Sequence, residues 1–190
     1  SVRYIGDHVL TQNDVESGGR FDDLVAYGGW TMDDHAPGGF RYQGRPTTFH
    51  PAPSPYGIPY RCLYSKNIDN LMFAGRCISA SHAAMSSTRL MGTGCSMGQA
   101  VGTAAAMAAA AGISPREVGK SQIRELQQSL LRQDAYLPWV KQQFSDLTRH
   151  ATLRASVGDP EPLRDGVNRP VGDNAHAWVG RVGDSIEYTW

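Results

Sequence analysis

Hydrophobic positions recur along this chain with strand-like alternation in some stretches and helical spacing in others, separated by glycine- and proline-rich gaps. Val2 to Leu10 is rich in β-branched and aromatic residues, which predicts a strand. Thr11-Gln-Asn-Asp14 follows with the form of a capping box. A helix is therefore expected from about Gln12 to Tyr27, burying Val15, Phe21, Leu24 and Val25. Gly18 and Gly19 sit inside that helix and weaken it by ~1 kcal/mol each. Between Asp33 and Pro55 prolines and glycines are so dense that no regular element is expected, and long loops of this kind are often functional. Tyr56 to Tyr64 and Asn70 to Ala74 are short apolar runs bounded by turn residues, hence strands, with Asn67-Ile-Asp-Asn70 as the turn between them.

Cys95 to Ile113 holds no charged residue and eight alanines, which makes it the strongest helix in the sequence. Ser114-Pro-Arg-Glu117 supplies the next start, with serine at the cap and proline at the first helical position. Ile123, Leu126, Leu130 and Leu131 then share one helical face, so this helix runs to about Arg132. Asp134 to Phe144 predicts a further short helix with an aromatic face. After Asp146 the rhythm changes: short β-like pieces alternate with Gly158-Asp-Pro, Asp165-Gly, Gly172-Asp-Asn and Gly183-Asp. The pattern predicts an α/β body over residues 1–145 and a partial all-β tail over 146–190.

Composition narrows the partners. Hydrophobic residues make up 41%, charged residues 19%, and the formal net charge is zero. Neither nucleic acid nor an anionic membrane surface is expected. Cys62, Cys77 and Cys95 are odd in number and lack CxxC spacing, so no disulfide framework and no metal site is expected. No charged start followed by an apolar run marks a signal peptide. The chain opens on Ser-Val-Arg-Tyr-Ile, which reads as the middle of a strand, so an upstream segment of the same protein is expected. Gly98-x-x-x-Gly102 inside the uncharged stretch invites a membrane reading. Alanine and glycine dominate there, with Ser96, Gln99 and Thr103 among them, so no span is expected and tight packing of the helix is.

The chemistry concentrates in one unit: the run Asn70-Leu-Met-Phe-Ala-Gly75-Arg76, the polar loop Cys77 to Met91, then Gly92-Thr-Gly-Cys-Ser-Met-Gly98. In open α/β sheets ligands sit beyond the carboxyl ends of strands, and a helix start there offers free N–H groups and partial positive charge. Gly92 and Gly94 would let the backbone come close to a flat ligand. Residues 70–108, NLMFAGRCISASHAAMSSTRLMGTGCSMGQAVGTAAAMA, resemble the closing flavin segment of FAD-dependent oxidoreductases related to fumarate-reductase-type flavoproteins. Tyr4-Ile-Gly-Asp7, Val9-Leu-Thr11, Asp14 and Ile58-Pro-Tyr-Arg61 resemble that family's substrate-side segments. The resemblance covers most of residues 1–145. It implies a substrate side over about 1–66, a flavin-facing segment over about 67–112 and a helical closure over about 113–145.

The resemblance implies FAD as cofactor and the C-terminal part of a Rossmann-like flavoprotein fold. It assigns Gly75, Arg76, Gly92, Thr93, Gly94, Cys95 and Ser96 to the cofactor. A hydride would pass between an organic substrate and the flavin, with Gly92 and Gly94 backbone donors tuning the ring. The family's other half-site, GxGxxG with a later acidic residue, has no counterpart here, because Gly92-x-Gly94-x-x-x-Gly98 has different spacing. Without that segment the chain is expected to bind FAD weakly or not at all.

Single residues carry two readings each. His82 is a general acid/base or a hydrogen-bonded loop histidine. Arg89 pairs with a substrate carboxylate or cofactor phosphate, or with a surface carboxylate. Cys95 is either a thiol of lowered pKa or a small residue packed beneath the flavin. Asp33-Asp34-His35 resembles a metal cluster or an acid/base group; the adjacent carboxylates are read as solvated, so no metal is assigned and His35 is a substrate-binding candidate. Tyr60 and Arg61 are substrate-binding candidates or packing residues. The tail, with Ala155-Ser, Asp165-Gly and Trp178, resembles the start of a discoidin-type β-sandwich, which would make the substrate carbohydrate-related. The competing expectation is a non-catalytic glycan- or partner-binding fragment that retains a structural remnant of a flavoprotein.

Overall fold

The computed structural model describes residues 3–190 as two compact units, one ending at Pro138 and one running from Trp139 to Trp190. Ser1 and Val2, the start of the first expected strand, lie outside the described residues. The rest of that expected strand contributes a single parallel bridge, Leu10 to Ala80.

In the first unit the capping box forms as expected: the Thr11 side chain accepts from the Asp14 N–H, and Asp14 Oδ2 accepts from the Thr11 N–H at 2.8 Å. It starts a helix, α1, that covers only Gln12–Glu16. Gly18 and Gly19 stop it, with φ of +89° and +58°, values that glycine adopts at no steric cost. The chain re-emerges as strand β1, Leu24–Gly28, where a helix was expected. Strand β2, Met32–His35, and strand β3, Thr47–His50, pair antiparallel with Asp33 opposite Phe49 and His35 opposite Thr47. Two short strands thus form a hairpin inside the stretch expected to be irregular, anchored by fully buried Met32, while the rest of that stretch holds only the 3-10 turn Gly39–Arg41.

Strand β4, Tyr56–Pro59, pairs antiparallel with β1 and leads into a 3-10 turn at Tyr60–Cys62. Asn70–Ala74 makes one bridge, Met72 to Tyr64, and not the expected strand; a 3-10 turn follows at Gly75–Cys77. Helix α2, His82–Thr88, is capped by Ser81 and packs on β2. Helix α3, Met91–Ala111, ends at Gly112 in the left-handed region. It buries Met97, Ala100, Ala104 and Ala108, a stripe at helical spacing that packs against β1. Helices α4, Pro115–Ser121, and α5, Ile123–Arg132, meet at Gln122, so the single helix expected to Arg132 is divided. The side chain of buried Gln127 donates to the Asp22 and Leu24 carbonyls, both at 2.9 Å, tying α5 to the start of β1. No helix forms over Asp134 to Phe144, where Asp134 and Trp139 have positive φ.

The second unit contains helix α6, Asp146–His150, and an antiparallel ribbon of strands β5, Thr152–Ala155, and β6, Ile186–Thr189. The Arg164 guanidinium donates to the Ala151 and Thr148 carbonyls and pairs with Glu161, holding the long connection between the two strands. The whole is a mixed α/β chain whose described sheets are two-stranded. Among the described residues no helix is long and apolar enough to cross a membrane.

Candidate functional site

A cavity of about 360 Å³ opens between β2, α2 and the Gly75–Cys77 turn. It is lined by Asp33, Asp34, His35, Arg76, His82, Met85, Ser86 and Arg89. Local structure explains the convergence. Met32 is buried, which holds the adjoining Asp33-Asp34-His35 run of β2 beside α2. His82 opens α2 and Arg89 caps its end, so the helix presents one at each extremity.

The polar groups are cross-linked. Arg89 Nη2 donates to Asp33 Oδ2 at 3.0 Å, and its Nε donates to the Ser86 carbonyl at 3.3 Å. His35 Nε2 lies 3.5 Å from the same Asp33 oxygen. His82 Nε2 lies 2.7 Å from Asp34 Oδ1 and 3.3 Å from the His35 carbonyl oxygen. The Asp33 and Asp34 side chains are only 23% and 26% exposed, so these carboxylates are not the solvated pair that adjacency in sequence suggests. Asp33 Oδ1 and Asp34 Oδ1 are buried with no hydrogen-bond donor, leaving acceptor capacity beside the cavity. Arg76 is exposed and makes no ion pair among the described residues.

Behind the cavity, Ser87 Oγ donates to the Trp30 carbonyl and lies 2.6 Å from the Tyr56 hydroxyl. Burial pushes the Tyr56 hydroxyl up to about 12, partly offset by Ser87, so it stays protonated. This contact fastens α2 to β4.

Tyr60 and Arg61 do not line this cavity. Tyr60 is fully buried and donates its hydroxyl to the Pro115 carbonyl at 2.9 Å. Arg61 makes a two-point pair with Asp23, at 2.9 and 3.1 Å, and borders a separate cavity with Lys120 and Ile123. The sequence pattern put Asp33 and Asp34 in a loop as solvated carboxylates and did not single out Ser86; the available signal was one apolar residue, Met32, leading the acidic run.

The glycine segment lies next to this cavity. Leu90 is the N-cap of α3 and supplies no side-chain hydrogen bond, and the first turn carries no acidic residue. Its leading N–H groups therefore lack intrahelical partners. A Cβ at Gly92 or Gly75 would meet nothing within 4 Å, and one at Gly94 would stand 3.7 Å from the Gly75 Cα. Gly75 itself has φ +70°. Thr93 is half-buried, Cys95 is exposed, and the Ser96 hydroxyl donates to the Gly92 carbonyl at 3.2 Å.

A family model described as FAD dependent oxidoreductase matches residues 1–130, more than half of the chain. The chain belongs to the FAD-dependent oxidoreductase family. Comparisons with curated proteins and with solved structures give no match. The cofactor of this oxidoreductase family is FAD. The residues present fit such a group: an uncapped helix start, an open glycine surface at Gly75, Gly92 and Gly94, and no carboxylate in the first turn to repel an anionic ring edge. Within the oxidoreductase, Gly75 of this surface and Arg76 of the cavity are consecutive residues of one turn.

Proposed function

We propose that this chain forms the flavin-facing half of an FAD site of the fumarate-reductase-related type, within the C-terminal part of a Rossmann-like fold. The carrying observation is the Gly75–Arg76 junction, because it joins the open glycine surface to the polar cavity without an intervening element. Gly75, Gly92, Thr93, Gly94, Cys95 and Ser96 would hold the ring system, mainly through backbone. Bound FAD supplies a two-electron, hydride-accepting centre. The protein's own part is positioning and proton transfer. Arg89, its charge balanced by Asp33, and Arg76, without such a partner, would orient an anionic or strongly polar substrate. His35 would border the same substrate, and His82 would take the proton that the substrate loses as its neighbouring carbon gives up hydride. Tyr60 and Arg61 serve as structural ties in this scheme. The second unit, with its β5–β6 ribbon, would open a discoidin-like module and bring the protein to a carbohydrate-related substrate.

The deciding experiment is the visible spectrum of the protein purified as its host makes it. The expected result is the two-banded absorption of oxidised flavin, lost in Gly94→Val, whose branched side chain would be forced toward Gly75. A colourless wild-type protein in excess FAD would overturn the reading.

A further inference from the structure

The two contacts of His82 fall on the same ring nitrogen. Nε2 lies 2.7 Å from Asp34 Oδ1 and 3.3 Å from the His35 carbonyl oxygen. Both oxygens are pure acceptors, so an unprotonated Nε2 would press its lone pair against two others. A proton on Nε2 resolves this, donating to the carbonyl with the carboxylate charge alongside. The Asp34 approach is short but off the hydrogen-bond line, since Oδ1 keeps no hydrogen-bond donor of its own. Its effect on the ring is therefore that of a close negative charge. Nδ1, in contrast, has no partner among the described residues, and the ring, 46% exposed, lines the cavity.

We propose that Asp34 is a positioning residue that, with the His35 carbonyl, holds His82 as the Nε2–H tautomer and leaves Nδ1 as the proton acceptor of the site. The proposal deepens the oxidoreductase reading and rests on it for the reaction served, though not for the geometry. In the step, the substrate X–H bond breaks and leaves its electron pair on X. A new N–H bond forms at Nδ1, and the imidazolium produced is neutralised by the Asp34 carboxylate beside Nε2. The pair left on X would form the C=X bond, and bound FAD would supply the acceptor for the hydride that the adjoining carbon gives up. The substrate class follows: a molecule with an ionisable or polarised X–H, an alcohol or amine, on the carbon that is oxidised. The other charged groups around the ring are Asp33 and His35 on β2, Arg76 in the turn and Arg89 at the end of α2. On α1, which also packs on α2, Asp14 is engaged by Thr11 and His8, and Glu16 by Gln12.

Long-range 15N–1H spectra of the full chain, labelled at its six histidines, read the tautomer directly. The His82 signal is identified by its loss in His82→Gln. At about pH 8, above the ordinary histidine range, wild-type His82 is expected as a single Nε2–H tautomer. In Asp34→Asn, whose amide can point an N–H at the ring, and independently in Asp34→Ser, the single pattern is lost and an Nδ1–H form emerges. A wild-type ring that is Nδ1–H or a mixture overturns the proposal, as does an unchanged pattern in a folded Asp34 variant. Neither FAD nor substrate is needed for these spectra. If the protein as its host makes it stays colourless in excess FAD while these spectra show the Nε2–H tautomer, the flavin-site reading fails and the positioning role stands.

Discussion

At Cys62 the environment of a single side chain decides its chemistry. Burial pushes this thiol up to about 12, and its Sγ lies 3.5 Å from the His8 carbonyl, so almost no thiolate forms at neutral pH. Cys77 and Cys95 are exposed. Alkylation of the folded protein with iodoacetamide, followed by peptide mass spectrometry, is expected to label Cys77 and Cys95 and to reach Cys62 only after denaturation. Because Cys95 lies one turn into α3, in the segment proposed to hold the ring system, FAD is expected to slow its labelling relative to Cys77 in the protein as its host makes it. Equal protection of both, or of neither, would argue against a flavin at that helix start. The same scale shows why the cavity was partly legible in sequence. His82 and Arg89 stand at the two ends of one helix, a placement that a short polar loop between glycine turns does not reveal. The carboxylates that pair with them come from a strand 48 and 56 residues earlier, which spacing alone cannot connect.

Among the elements, glycines act in opposite ways according to what surrounds them. Gly19 has φ +58°, and a Cβ there would stand 2.2 Å from the Gly57 carbonyl oxygen. Gly98 has ordinary helical backbone and open space around its Cα. Gly19→Ala is therefore expected to cost about 2–4 kcal/mol through strain and collision. Gly98→Ala should add about 0.5–1 kcal/mol to the chain. Urea unfolding of both variants checks the pair, and equal effects would contradict the packing described. This contrast also marks the limit of pattern reading. Alanine-rich α3 and the serine-capped α4 were legible because propensity and capping act locally. The helix expected through Tyr27 failed because the Gly18–Gly19 turn is fixed by close approach to β4, a tertiary demand. The hairpin of β2 and β3 was hidden because its residues are polar and proline-flanked, and what orders them is α2 packed alongside.

Across the whole first unit, distant segments are tied by ion pairs whose behaviour with pH follows from their geometry. Arg116 donates to both Asp7 oxygens at 2.8 Å and also to the Lys66 carbonyl at 2.8 Å, so one guanidinium joins the chain's start, its middle and α4. The Arg116 hydrogen bonds hold the Asp7 carboxyl below the usual carboxylate value; partial burial opposes this, and the Tyr64 hydroxyl, donating at 3.0 Å, reinforces it. A carboxyl with a depressed folded-state pKa stabilises the fold fully above its unfolded value, about 4. That contribution is lost as pH falls through the lower folded value. Asp7→Asn removes the charge at every pH. The variant is therefore expected to unfold at lower urea than wild type near neutrality, and the gap should close below about pH 4. Added salt should narrow the neutral-pH gap, because both side chains remain about 30% exposed. Urea midpoints of the two proteins across this range provide the check. A gap that stays constant into acid would mean that Asp7 acts through its shape and hydrogen bonds, with its charge contributing nothing.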